Sequence, residues 1–293
     1  MNGLTNYITE RPWLDIVTTW FVLIDEAYQR FIAKRGKPLR ASGTEPRFTD
    51  SEVITVALII ETFFQGHEEV GYAFVTQYMH DMFPELVDLD RFNVRRRELI
   101  AVIEALRRDF RDQKLDAQDR VRLTDSVPIT LMTYSRGARC VSVVGNEYFG
   151  VVTSKKAKVF GLRLHATVTV DQLIDEWLLA PASLVDGAVL EALVENQHAL
   201  ILIGDKGYTD ADLEERLWQT RQIQLLPLRR KNEKRQWPAE IRAILGRIRH
   251  HIETVFSVTS TTFNLEHPRG RSLAGHVVRV ATIILAHTLS FFM

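Results

Sequence analysis

The chain has one cysteine, Cys140, in 293 residues. That excludes an internal disulfide and any multi-cysteine zinc site, and it fits a reducing cytoplasm. Net charge is also missing, because 37 Lys and Arg balance 37 Asp and Glu. Such a balance argues against a surface coated throughout by nucleic acid. Met1 to Glu10 lacks the basic-then-apolar order of a secretory signal. Val277 to Met293 is very apolar, but Arg279 and His287 interrupt it and it falls short of a membrane span. A buried terminal helix is expected there, and no membrane partner. No internal repeat and no low-complexity segment is visible. What is present is apolar substance, 46% of the chain, which suffices for a core and argues against general disorder. The length suits two domains or one large one.

Charge is uneven along the chain. Residues 1–118 carry 15 basic and 19 acidic side chains, a net of −4, and residues 119–293 carry 22 and 18, a net of +4. Residues 221–279 alone hold 12 basic against 4 acidic, a net of +8. A site for an anionic polymer would need such a concentration.

Residues 1–118 read as helical. Apolar spacing predicts helices over Trp13–Ala33, from Thr49 to about Phe64, from about Glu69 to Met82, and a long one from Asp90 to about Gln113. The last carries Arg91, Arg95, Arg96, Arg97, Arg107, Arg108 and Arg111. Two readings stand side by side: a helix-turn-helix-like DNA reader, or a small bundle whose arginines solvate one face. Residues 119–293 change period. Strands are expected at Arg120–Pro128, Cys140–Thr153, Gly161–Val170, Ala199–Gly204 and Gln222–Leu228. Helices are expected at Gly187–Gln197, Asp210–Thr220, Pro238–Thr259 and Leu273–Phe292. This order predicts an α/β fold, an RNase H-like mixed sheet flanked by helices and preceded by an all-α region.

Three acidic residues stand out against that frame. Asp125 follows the run Val121-Arg122-Leu123-Thr124, and Asp205 ends the apolar run Ala199 to Gly204. Sites in open α/β sheets form beyond strand ends. Glu253 falls at the edge of an apolar helical stripe, ~120° from Ile241, with Arg242 and Arg249 on its flank. A single Asp after a strand is more often a turn former or helix cap. Three acids in this element order, beside concentrated positive charge, point instead to a two-metal phosphodiester site. Mg²⁺ prefers carboxylate and water oxygens, and paired ions ~3.5–4 Å apart need a bridging carboxylate with flanking ones.

The segments Leu123-Thr124-Asp125-Ser126-Val127-Pro128, Gly204-Asp205-Lys206-Gly207-Tyr208 and Arg249-His250-His251-Ile252-Glu253-Thr254-Val255-Phe256-Ser257 resemble the three signature blocks of bacterial insertion-sequence DDE transposases. The resemblance runs from about Arg120 to the C-terminus. It implies that Asp125, Asp205 and Glu253 are catalytic and hold two Mg²⁺ or Mn²⁺ ions. It also implies cutting of double-stranded DNA at transposon ends and joining of 3′-OH ends to target DNA. A homodimer on DNA and a cytoplasmic, nucleoid-associated location follow from the same resemblance. A common form of the third block is Tyr-x2-Arg-x3-Glu-x6-Lys. Here Arg249 and Glu253 fit, whereas Gly246 and Ser260 stand at the Tyr and Lys positions. In related families that Tyr and that Lys help hold the transposon end, and this chain has neither.

Further DNA contacts are expected from Arg249, Arg242, the basic stretches holding Lys155, Lys156, Arg229, Arg230 and Lys231, and Arg95 and Arg96 of the helical region. Trp237 is read either as a stacking platform for a flipped base or as a helix-entry staple. Lys206 and Tyr208 either touch DNA beside the metals or hold their turn. His165 is expected to be packed. Two rival functions use the same residues: a metal-dependent nuclease without strand transfer, and an inactive transposase-derived DNA-binding regulator.

Overall fold

In the computed structural model of the chain, residues 12–40, 43–44, 46–152, 157–229, 232–233 and 236–293 are described. They form two compact units, 1–114 with 261–293, and 115–260.

The first unit is helical. Its helices are α1 (Trp13–Arg35), α2 (Asp50–Phe64), α3 (Glu68–Tyr78), α4 (Leu89–Glu98) and α5 (Ile100–Lys114). Thr49 starts α2 with a capping box, its side chain taking the Glu52 N–H while Glu52 takes the Thr49 N–H. Nearly every α2 residue is buried, as an all-round apolar helix requires. The long helix expected from Asp90 to Gln113 is interrupted at Leu99, a buried turn residue between α4 and α5.

Residues 261–293 belong to this unit, whereas the sequence reading kept them with the sheet. They contain the last helix, which packs its apolar surface against α2, α4 and α5. By length and composition Leu273–Phe292 could cross a membrane, yet most of it is buried inside the unit. Its one arginine is neutralised internally. Arg279 donates to Glu61 of α2 at 2.9 Å and lies 3.2 Å from Glu68 of α3. Arg96 of α4 joins the same group, 2.6 Å from Glu68 and 3.6 Å from Glu61. Gly66, at a φ of 72°, lets its carbonyl accept from Arg279 where any side chain would collide with the guanidinium.

The second unit is a mixed sheet flanked by helices, an RNase H-like core. Its strands are β1 (Val121–Met132), β2 (Phe149–Val152), β3 (Ala157–Thr169), β4 (Ile174–Pro181), β5 (Ile201–Gly204) and β6 (Gln224–Pro227). The principal path is β4–β3–β1–β5–β6, with β2 pairing the first residues of β3. β1, β3 and β4 are antiparallel, while β5 and β6 run parallel to β1. The helices are α6 (Asp186–Leu193), α7 (Ala211–Arg221) and α8 (Ala239–Phe263), which runs into the segment grouped with the first unit; the last helix, α9, is Leu273–Leu289.

Two expectations fail here. Cys140–Tyr148 is not a strand: it contains bends and a 3-10 segment, and leaves Val141 and Val144 in solvent. The sheet strand that the sequence reading missed is β4. Asp175 and Glu176 break its apolar pattern. Both are buried, Asp175 against Arg122 at 2.5 Å.

Candidate active site

Parallel register brings the two aspartates together. Thr124 of β1 pairs with Gly204 of β5, so Asp125 and Asp205 each lie one residue beyond that pair. Side chains alternate along β1. Thr124 and Ser126 therefore share one face, where Thr124 lies near Tyr208 and Ser126 meets α6. Asp125 faces the other way, toward α8. Asp205 begins a 3-10 turn but makes no side-chain cap bond, so the turn-capping role common to such aspartates is not in use.

Leu245, Ile252, Val255 and Phe256 anchor α8 by burial. His251 adds a fixed point, its Nδ1–H donating to the Val170 carbonyl at 2.6 Å. Arg249 and Glu253 are thereby presented at the edge of the packed stripe. Ile241 and Ile244 of the same expected stripe are instead 41% and 50% exposed.

Arg249 occupies the centre. Its Nη2 lies 3.2 Å from Asp125 Oδ2 and 2.8 Å from Glu253 Oε1, and its Nη1 lies 3.7 Å from Asp205 Oδ1. Three carboxylates from three elements thus surround one guanidinium. His250 Nδ1 reaches the other oxygen of Glu253 at 2.8 Å. Burial raises the Asp125 carboxyl from 3.8 to about 6, against the pull of Arg249 and of the Ser126 N–H bond. For Arg249, burial is outweighed by Asp125 and Asp205, and its pKa is raised.

Divalent metal suits this donor set, since all three groups offer hard carboxylate oxygens and already gather around positive charge. Among the described residues no group of three or more His, Cys, Asp or Glu is arranged as a metal cluster. What the three carboxylates share is the Arg249 guanidinium.

A family model described as a transposase DDE domain matches residues 115–273, more than half of the chain. The chain belongs to this family. A comparison with curated proteins gives no match.

The expected DNA contacts of the transposase fall in four different settings. Arg242 and Lys206 are exposed. Arg95, Arg96, Arg229 and Tyr208 are withdrawn. Arg95 pairs with Asp50 at 2.6 Å, Arg96 sits in the buried group with Glu61 and Glu68, and Arg229 pairs with Glu214 at 2.8 Å. Each cation is neutralised by a carboxylate of its own unit, which removes it from a phosphate-binding surface. Tyr208 is buried among Leu190, Leu202 and Leu213, where it holds its turn against the core. Trp237 is half-buried. Its Nε1–H donates to the Pro227 carbonyl at 2.8 Å and Arg229 lies over its ring. Lys155, Lys156, Arg230 and Lys231 lie outside the described residues.

One polar cluster escaped the sequence reading. Asp186, at the start of α6, accepts from Ser126 Oγ at 2.7 Å and lies 3.3 Å from Arg163 and 3.6 Å from His165. It also lies against Gly207, where an added Cβ would come within 3.1 Å of its carboxylate. Asp186 therefore braces the residue after Asp125 and the turn after Asp205. Its only trace in sequence is an acidic residue opening a helix. His165 is packed there, and burial lowers its pKa to about 4.

Proposed function

We propose that this transposase cuts DNA at transposon ends and joins the freed 3′-OH to target DNA, with Asp125, Asp205 and Glu253 as catalytic ligands of divalent metal. The observation that carries the reading is the gathering of those three carboxylates around a single centre of positive charge. Bound Mg²⁺ or Mn²⁺ would polarise the scissile phosphate and activate the attacking oxygen. The protein's own part is positioning. Strand register fixes Asp125 beside Asp205, the buried stripe and His251 fix α8, and Asp186 holds both aspartate-bearing segments from behind.

Exposed Arg242 and Lys206 give the phosphate backbone a cationic approach to this centre. Trp237 offers a half-exposed ring for stacking. The helical N-terminal part is proposed to bind DNA, and two copies are proposed to act together on paired ends. The test is a metal-dependent cleavage and strand-transfer assay on the transposase's own end sequence. Asp125→Asn, Asp205→Asn and Glu253→Gln should each abolish both steps while duplex binding persists. Retained cleavage in any variant removes that residue from the site. Cleavage without transfer by the unaltered protein would favour a plain nuclease.

A further inference from the structure

We infer that Arg249 is a displaceable counter-ion of the catalytic site, holding the place of positive charge in the metal-free protein and leaving when metal loads. This rests on the reading that Asp125, Asp205 and Glu253 bind the metal. The geometry is specific. One guanidinium nitrogen serves Asp125 and Glu253 at 3.2 and 2.8 Å, and the other lies 3.7 Å from Asp205. A divalent ion bound by the same oxygens would sit within a few ångströms of the guanidinium, in a half-buried setting where like charges repel strongly. Both cations cannot hold the centre.

The arginine is also incompletely secured. Its Nε is buried without a hydrogen-bond partner, as are those of Arg95, Arg96 and Arg229, so only its two terminal nitrogens hold it in place. Its side chain keeps 20% of its surface in solvent, so an exit is open. The stem is long and rotatable, so departure needs no movement of α8. Once released, the guanidinium is free to pair with a DNA phosphate on the flank shared with Arg242. Metal loading and capture of the DNA backbone would then be favoured by the same side-chain movement.

The experiment is Mn²⁺ titration of the full-length, DNA-free protein, with free Mn²⁺ read by electron paramagnetic resonance. Arg249→Ala should bind Mn²⁺ about tenfold more tightly than the unaltered protein, because the competing charge-assisted bonds are gone. Arg249→Met keeps the apolar stem, lacks the charge, and should do the same if the alanine variant folds poorly. Arg242→Met removes an exposed charge from the same helix flank and should change affinity much less. Equal or weaker binding in both Arg249 variants overturns the inference, as does an equal gain in Arg242→Met, which would reduce the effect to general electrostatics. Absence of Mn²⁺ binding in every variant also overturns it, since removing the obstacle should expose the site. The underlying site reading fails separately: Asp125→Asn in the Arg249→Met background should abolish the tight binding, and unchanged binding there would place the metal elsewhere.

Discussion

Asp125→Asn should make the metal-free protein more stable while ending catalysis. The carboxyl rises from 3.8 to about 6 on folding, chiefly by burial. At about 1.4 kcal/mol per tenfold change, that makes the ionised form ~3 kcal/mol less favourable folded than unfolded. The sign follows from a folded pKa above the unfolded one. Stability from this group is complete below about pH 4, is lost as pH rises toward 6, and is absent at neutral pH. Asparagine is neutral throughout and keeps an oxygen for the Ser126 N–H. It gives up the Asp125–Arg249 attraction, but Arg249 retains Glu253 at 2.8 Å. The expected gain is therefore about 1–3 kcal/mol near neutral pH, falling toward zero near pH 4. The assay is urea denaturation in EDTA of both proteins across that range, since the buried histidines cancel in the difference. A neutral-pH loss of stability, or a gain that persists unchanged near pH 4, would refute the reasoning.

Glu61→Leu should lower stability by about 3–5 kcal/mol in thermal or chemical denaturation, because it leaves Arg279 and Arg96 buried around a missing charge. Tyr208→Phe should change stability by less than about 1 kcal/mol, because its hydroxyl has only a 3.5 Å contact with Thr124. Duplex affinity measured by fluorescence anisotropy should be unchanged; a large loss would restore the DNA contact that burial denies it. Burial alone lowers His287 to about 4. Its contribution to stability is complete above about pH 6.5 and lost as pH falls toward 4, so His287→Leu should flatten the acid limb of a denaturation profile.

The sheet unit was more legible in sequence than the helical unit, and the reasons are physical. Asp205 ends an apolar run, whereas Asp125 lies within β1, which continues to Met132; the two meet because the parallel pairing of β1 with β5 stops at Thr124 and Gly204. Glu253 was reachable because helical phase is a simple rotation. What Arg249 does with that phase was not readable: a sequence shows that the two residues are four apart, not that three carboxylates share one guanidinium. Arg95 and Arg96 misled for a related reason. A basic run on a helix looks the same whether it meets solvent or meets Asp50, Glu61 and Glu68 from distant helices. The strand β4 was hidden because period-two reading discounts acids, while Asp175 is buried against a partner 53 residues away, Arg122. In Cys140–Tyr148 the opposite error arose, since Val141 and Val144 project into solvent while Val143 is buried.

Asp125, Asp205 and Glu253 of this transposase are proposed to hold catalytic metal. Diffraction from crystals grown with Mn²⁺ and a short duplex, with metal located by anomalous scattering, tests it most directly. An anomalous peak bounded by Asp125, Asp205 and Glu253 is expected, with the Arg249 guanidinium moved out toward phosphate. A crystal with DNA bound, no peak at these residues, and Arg249 still between the carboxylates would contradict it.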